Sequence, residues 1–222
     1  MITVLYVDDE AQLLEVTQLY LERTGEFRVG ITTSAQDALN LLKRQSFDAI
    51  ISDYQMPEMD GIAFLKQVRA DFGAIPFILF TGKGREEVVI QALNEGADFY
   101  IQKGGEAKSQ FAELAHKIRQ AVSRQQAEEG LRKSKLHYQN LIRSAGEAIY
   151  VIQDGVLRMA NPQFAELTGY TKDELLSLSM TALIHEDDRA MVLERFGRRF
   201  RGEPVPARYS FRLYRKDRTV CW

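Results

Sequence analysis

Strand-length apolar runs alternating with amphipathic helical segments predict an α/β fold for the first half of this 222-residue chain. In the second half, a hairpin signal, short helices and a later alternating stretch predict a smaller α+β unit with an antiparallel sheet. A change of charge separates the two. Residues 1–123 hold 12 Lys/Arg against 18 Asp/Glu, net −6, and residues 124–222 hold 17 against 13, net +4.

The runs of the first half are ITVLYV (2–7), FRVGIT (27–32), FDAIIS (47–52), PFILFT (76–81) and ADFYIQ (97–102). Between them, Leu13, Leu14, Val16, Thr17, Tyr20 and Leu21, then Ala38, Leu39, Leu41 and Leu42, recur at helical spacing. Ser34 and Asp60 stand where helix N-caps are expected, and Gly25, Gly73 and Gly96 where helices stop. Strands joined through helices cannot form hairpins, so the sheet is expected to be parallel and covered on both faces.

Composition narrows the classes of function. One cysteine, Cys221, allows no internal disulfide and no thiolate metal centre, so any metal is expected to take oxygen ligands. No signal pattern precedes Thr3, and no apolar run approaches the roughly 20 residues needed to span a bilayer. The expectation is a cytoplasmic protein without a membrane partner.

In a parallel sheet, ligands gather at the carboxyl ends of the strands, where strand order reverses. Asp8 and Asp9 follow the first strand, Asp53 the third and Lys103 the fifth, and Thr81 ends the fourth. Taken singly, each reads as a turn residue, a strand-end hydroxyl or a surface charge. Together they converge on one rim. Three neighbouring carboxylates repel one another unless a hard cation sits among them, and Mg2+ suits carboxylate and water oxygens. The expected arrangement has Asp9 and Asp53 on the metal directly and Asp8 through water. Asp53 then serves as a nucleophile toward a phosphoryl group, with Thr81 and Lys103 as donors to its oxygens.

The segments VDDE (7–10), SDYQMPEMDG (52–61), FTGKG (80–84) and ADFYIQKG (97–104), in that order, make residues 1–122 resemble a two-component response-regulator receiver domain. The resemblance implies a flavodoxin-like five-stranded parallel sheet. It also implies Asp53 as phosphoacceptor, Asp8 and Asp9 as the acidic pair, and the backbone carbonyl of Gln55 as a further Mg2+ contact. Thr81 and Lys103 would be the switch hydroxyl and the phosphate-binding lysine. Tyr100 matches the aromatic that changes rotamer with phosphorylation, although an aromatic on a strand is equally a packing residue. One position departs: receivers usually follow the lysine with a cis proline, and here Gly104 follows Lys103. Without proline a cis bond costs about 2.5–4 kcal/mol, so a trans or more mobile loop is expected.

Residues 123–135 are polar and rich in helix formers and read as a helical linker. The helix before it carries Phe111, Leu114, Ala115, Ile118, Ala121 and Val122 on one stripe. Beyond Val122 the pattern fits either a dimer seam or a solvated single helix ending near Gly130. Surfaces for a homodimer are the helix of residues 106–122, the linker and the second domain.

From about Leu136, AIYVIQ and VLRMA join at Asp154-Gly155, a hairpin signal, and NPQFAELTGYTKDELL supplies short helices with Thr171 as a cap. ARYSFRLYRKD (207–217) alternates like a half-buried antiparallel strand, with Tyr209, Phe211 and Leu213 on one face. With LIHEDDR (183–189) and RKDRTVCW (215–222), these stretches make residues 136–222 resemble a PAS sensor domain that is incomplete at its C-terminus. Such a sheet normally has five strands, and two would follow Trp222. Arg218 replaces the glycine of the usual Asp-Gly turn. The ligand of this PAS domain is left open. A flavin adduct needs a cysteine on the helical side, whereas Cys221 lies on the last strand, and a haem would need His185, in a segment that the family uses as a loop.

The leading expectation is phosphorelay signalling: a receiver that accepts phosphate from a sensor histidine kinase, coupled to a PAS sensing or association module. The chain is expected not to be an enzyme beyond self-phosphorylation from small phosphodonors and autodephosphorylation. The alternative is the N-terminal fragment of a hybrid histidine kinase, but neither His116 nor His137 has the surroundings of a phosphoacceptor histidine. Nucleic-acid binding is the weaker third reading. Residues 189–218 hold ten Lys/Arg against three Asp/Glu, yet these alternate with apolar residues as a solvated exterior would.

Overall fold

A computed structural model of the protein describes residues 1–82, 86–153 and 155–222, apart from the side chain of Glu86. The expected hairpin residue Asp154, and Lys83 and Gly84 of the FTGKG segment, lie outside the described residues. The chain divides into two compact units, Met1–Leu131 and Arg132–Trp222. None of the described helices is long and apolar enough to cross a membrane.

In the first unit, strands β1 (Ile2–Val7), β2 (Phe27–Thr32), β3 (Ala49–Ser52), β4 (Phe77–Thr81) and β5 (Phe99–Gln102) form a parallel sheet in the order β2-β1-β3-β4-β5. This is the flavodoxin-like order, and it reverses between β1 and β3. The helices are α1 (Ala11–Glu22), α2 (Ala35–Leu42), α3 (Gly61–Phe72), α4 (Glu86–Asn94) and α5 (Ala107–Ser144). Alternate strand residues point to opposite faces. Leu5, Val7, Ile50 and Leu79 pack with the residues of α2, α3 and α4, while Val4, Tyr6, Ile51 and Phe80 pack with α1 and α5.

The predicted helix signals act locally. Ser34 Oγ accepts from the Asp37 amide and Asp60 Oδ1 from the Ala63 amide, each satisfying a first-turn N–H. Gly25, Gly73 and Gly96 all take positive φ just beyond a helix. The stripe on α1 is narrower than its sequence suggests. Leu14, Thr17 and Leu21 are buried, whereas Val16 is 52% exposed, because the one face turned to the sheet is already filled.

One expectation about the connector changes. Helix α5 runs unbroken through Gly130 to Ser144. A helical glycine costs about 1 kcal/mol relative to alanine, less than abandoning the flanking run of Ala, Glu, Leu, Arg and Lys would cost.

In the second unit, β6 (Tyr150–Gln153) and β7 (Val156–Ala160) form the predicted hairpin, with a bulge at Val151/Ile152. Helices α6 (Pro162–Thr168), α7 (Lys172–Ser177), α8 (Met180–Leu183) and α9 (Glu186–Phe200) follow. Thr171 and Glu174 make a full capping box on α7. The expected strand over 207–217 shrinks to β8 (Leu213–Tyr214), paired with β9 (Val220–Cys221). Tyr209 and Phe211 still face the core, but a strand needs a ladder partner, and only Leu213 and Tyr214 find one in β9. The segment HEDDR is not a loop: His185 caps α9, its Nδ1 accepting from the Asp187 amide, and its ring stacks on Tyr214 at 4.8 Å. Arg218 holds positive φ, 70°, at the turn where a glycine was expected. An apolar cavity lined by Ile152, Met180, Ile184, Leu193 and Phe196 has a volume of about 40 Å³, far below the size of a cofactor site.

Two polar devices hold this unit. Asn161, 2% exposed, uses its whole amide: Nδ2 donates to the Ile142 and Glu147 carbonyls, and Oδ1 accepts from the Ile149 and Phe164 amides. The Arg212 guanidinium and backbone N–H both donate to Asp188, whose carboxyl they pull down to about 2.

Asn161→Ala is expected to destabilise this unit by roughly 2–4 kcal/mol, since it strands buried partners on both sides. Hydrogen exchange would show the loss first at the Ile149 and Phe164 amides; unchanged protection there would contradict the assignment. The depressed Asp188 group stabilises the fold above its ordinary pKa of 3.8, and that contribution disappears as the pH falls toward 2. Asp188→Asn should therefore unfold more easily than wild type at neutral pH and match it near pH 2, measured by denaturant midpoints across that range.

Candidate functional site

The carboxyl ends of β1, β3, β4 and β5 bring together Asp8, Asp53, Thr81 and Lys103. Asp8 is fully buried, Asp53 is 4% exposed and Thr81 1%. The backbone fixes their heights: the Asp53 amide donates to the Val7 carbonyl at 2.8 Å, and the Lys103 amide to the Thr81 carbonyl at 2.7 Å. Gly61 makes the close approach on the α3 side possible. A Cβ there would lie 2.2 Å from the Asp53 carbonyl oxygen, so only glycine fits.

Lys103 Nζ stands between the two buried carboxylates, 2.7 Å from Asp8 Oδ2 and 2.9 Å from Asp53 Oδ1, with Glu10 Oε1 at 3.8 Å. Burial pulls the Lys103 pKa down, but the hydrogen bonds and charges of Asp8 and Asp53 outweigh it, and the net shift is upward. The lysine is thus a fixed cation. Its ammonium also lies 5.8 Å from the centre of the Phe80 ring.

The remaining oxygens are held unequally. Asp8 Oδ2 accepts from the Tyr6 phenol at 2.7 Å, and Oδ1 from the Glu10 amide at 3.1 Å. Asp53 Oδ2 accepts from the Gln55 amide at 2.7 Å. Among the described residues, the buried Asp53 Oδ1 has the Lys103 ammonium alone beside it, at 2.9 Å. That oxygen is the one left for chemistry.

One sequence expectation changes here. Asp9 does not join the cluster: it is exposed, because adjacent residues at a strand end point to opposite sides and Asp8 takes the inner one. Accordingly, no group of three acid, histidine or cysteine side chains is placed to hold a metal among the described residues. The Gln55 amide N–H donates to Asp53 Oδ2. Tyr100 is partly buried against the α2–α4 core, its hydroxyl lacking a hydrogen-bond partner among the described residues. Burial and then the Asp53 charge raise its pKa, so the phenol stays neutral. No described peptide bond is cis; Lys103–Gly104 is trans, and Gly104 and Gly105 take φ of 138° and 89°.

Sequence reading passed over Tyr6, Glu10, Phe80 and Gly61, all of which touch this site. For Tyr6 a signal existed, since residues 6 and 8 share one face of β1. Burial first, then Asp8, raises the phenol's pKa well above its ordinary value, so Tyr6 remains a donor.

Donor chemistry at this rim suits a hard divalent cation: Asp8 and Asp53 present carboxylate oxygens to one point, and the group that now stands there, Lys103, is itself a cation.

Comparison with known proteins agrees with this geometry. The family model described as the response regulator receiver domain matches residues 4–133, and a PAS fold model matches residues 158–222. Over 128 residues the chain is 34% identical to the response regulator Rre1 of Synechocystis sp., covering 57% of this chain and 54% of the relative. It is 38% identical over 99 residues to the response regulator SaeR of Staphylococcus aureus, covering 45% and 42%. The chain thus spans about half the length of the curated relatives it matches. Among solved structures, a CheY-like receiver domain protein from Methanospirillum hungatei JF-1 is similar with a TM-score of 0.52 and 26% identity, covering 58% of this chain and 98% of the other. A receiver domain from Clostridium thermocellum gives 0.51 and 26%, covering 57% and 98%. With the sheet order, the Lys103 bridge and the family match in agreement, the chain belongs to the response regulator receiver domain family and carries a PAS fold behind its receiver.

Proposed function

We propose that this protein is a phosphorelay switch whose receiver takes a phosphoryl group on Asp53 from a sensor histidine kinase. The observation that carries this reading is the buried Asp53 Oδ1, faced by the Lys103 ammonium and, among the described residues, by no other partner. In the transfer, Asp53 Oδ1 attacks phosphorus and forms an acyl phosphate, while the bond from phosphorus to the donor's imidazole nitrogen breaks and its electron pair stays on that nitrogen. The Gln55 amide holds the other carboxylate oxygen and so fixes which one attacks. Lys103, released from Asp53 as that carboxylate is consumed, follows the negative charge onto a phosphoryl oxygen. Thr81, buried at the end of β4, is the second donor. These two side chains tie the modification to the segments that follow β4 and β5, which is how a local charge becomes a switch.

Mg2+ is the proposed cofactor, held by Asp8, Asp9 and Asp53 with the Gln55 carbonyl. When bound, it would neutralise charge between carboxylate and phosphoryl oxygens. Asp9, exposed here, reaches such an ion only by turning inward. The chain acts as a phosphoacceptor and carries no other catalytic role in this reading.

The PAS half is proposed as the sensing or association module. Several of its basic residues are engaged within the fold: Arg198 and Arg201 with Glu203, Arg212 with Asp187 and Asp188, and Lys216 with Glu174. Those pairings support the reading without nucleic acid. Leu131, Tyr138 and Leu141, exposed along α5 at helical spacing, support that helix as the surface of a homodimer. A cytoplasmic location follows from the proposed kinase partner.

Incubation with Mg2+ and acetyl phosphate should add one phosphate to the wild type and none to Asp53→Ala, read by intact mass. Equal labelling of both would sink the assignment. Lys103→Ala should still take phosphate, since it retains the nucleophile, but hydrogen exchange after β4 and β5 should no longer respond to it.

A further inference from the structure

We propose that Tyr6 is a positioning residue for the acidic pocket: its phenol keeps Asp8 in place when Lys103 is drawn away. This inference rests on the phosphoacceptor reading above and adds to it a residue from the buried middle of the sheet.

Tyr6 sits on β1, fully buried between the sheet and the α1 and α5 side of the core. Packing alone asks only for an apolar ring there, and that ring meets Phe80 at 6.3 Å between centroids. The hydroxyl is an added polar group in an apolar layer, and it would be costly without an acceptor. Its acceptor is Asp8 Oδ2, at 2.7 Å, the same oxygen that Lys103 contacts at 2.7 Å. Two donors therefore converge on one carboxylate oxygen, one neutral and fixed by the core, the other charged and on a flexible stem.

The duplication matters because Lys103 has competing duties. It pairs with Asp8 and Asp53 together, and a cation or a phosphoryl group arriving between them displaces it. Without Tyr6, the departure of Lys103 would leave the fully buried Asp8 with the Glu10 amide alone. A buried carboxylate oxygen stripped of its donors turns to find another, and Asp8 then no longer presents that oxygen where a cation would meet it. With the Tyr6 phenol in place, Asp8 keeps one hydrogen bond on each oxygen and holds its orientation. The arrangement follows from the two-residue period of the strand, which puts side chains 6 and 8 on one face.

Tyr6→Phe removes the hydroxyl and keeps the ring. Mg2+ alone, without phosphodonor, would be titrated into wild type and variant, following backbone amide shifts of residues 8–10 and 53–55. The variant is expected to need about ten to a hundred times more Mg2+ for half-saturation, the range for one hydrogen bond to a charged group. At saturating Mg2+ its labelling by acetyl phosphate should match wild type, a split that a general loosening of the fold would not produce. Equal half-saturation in the two proteins overturns the inference. If the variant does not fold, the wild type with 13Cζ-labelled tyrosine decides: the Tyr6 resonance should move in step with Mg2+ binding, and a fixed resonance overturns the inference. A wild type that binds Mg2+ yet takes no phosphate sinks the phosphoacceptor reading alone; one that binds no Mg2+ overturns both.

Discussion

Two buried carboxylates facing each other across a strand gap repel one another unless a cation stands between them, and Lys103 is that cation. Much of the first unit exists to make this meeting happen. The sheet order reverses between β1 and β3, so Asp8 and Asp53 end adjacent strands, and β5 lies far enough across for a long side chain to reach back over Phe80. Gly61 lets α3 start close against the Asp53 carbonyl, and Asp60 caps that same helix. The bridge is poised rather than permanent, because one of its carboxylate oxygens has no other partner.

The second unit relies on a different economy. Its regular strands are short, so the ladder hydrogen bonds that hold the receiver sheet together are few here. Single polar side chains take over that work. Asn161 joins the last turn of α5, the loop before β6 and the first turn of α6 with four hydrogen bonds from one amide. Arg212 ties the approach to β8 onto the start of α9 through Asp188. Removing either leaves several groups unpaired at once, which makes such residues more sensitive than their size suggests.

Sequence reading recovered what is encoded within a few residues. Strand positions, the Ser34, Asp60 and Thr171 caps and the stop glycines follow from local chemistry, and the structure has each of them. What it missed depends on side-chain direction or on distant partners. Asp8 and Asp9 look equivalent as letters, and only the pleat of the strand end decides which one faces Lys103. The strand expected over 207–217 had the right alternation, but alternation reports burial, and a strand also needs a neighbour to pair with. At Gly130 the local stop signal was real but weaker than the helix formers around it. Tyr6 was read as core because its ring is core; its hydroxyl became informative only once Asp8 was seen beside it.

The loop after Lys103 has an evolutionary consequence. Gly104 and Gly105 both occupy positive-φ conformations that other residues adopt only under strain, although neither has a neighbour that a side chain would strike. Proline at position 104 would demand a φ near −65°, on the opposite side of the map from 138°. A lineage carrying this glycine pair cannot reach the proline form through one tolerated exchange, because the backbone on both sides would have to change its path in the same step. The two loop forms are separate backbone solutions for the same position.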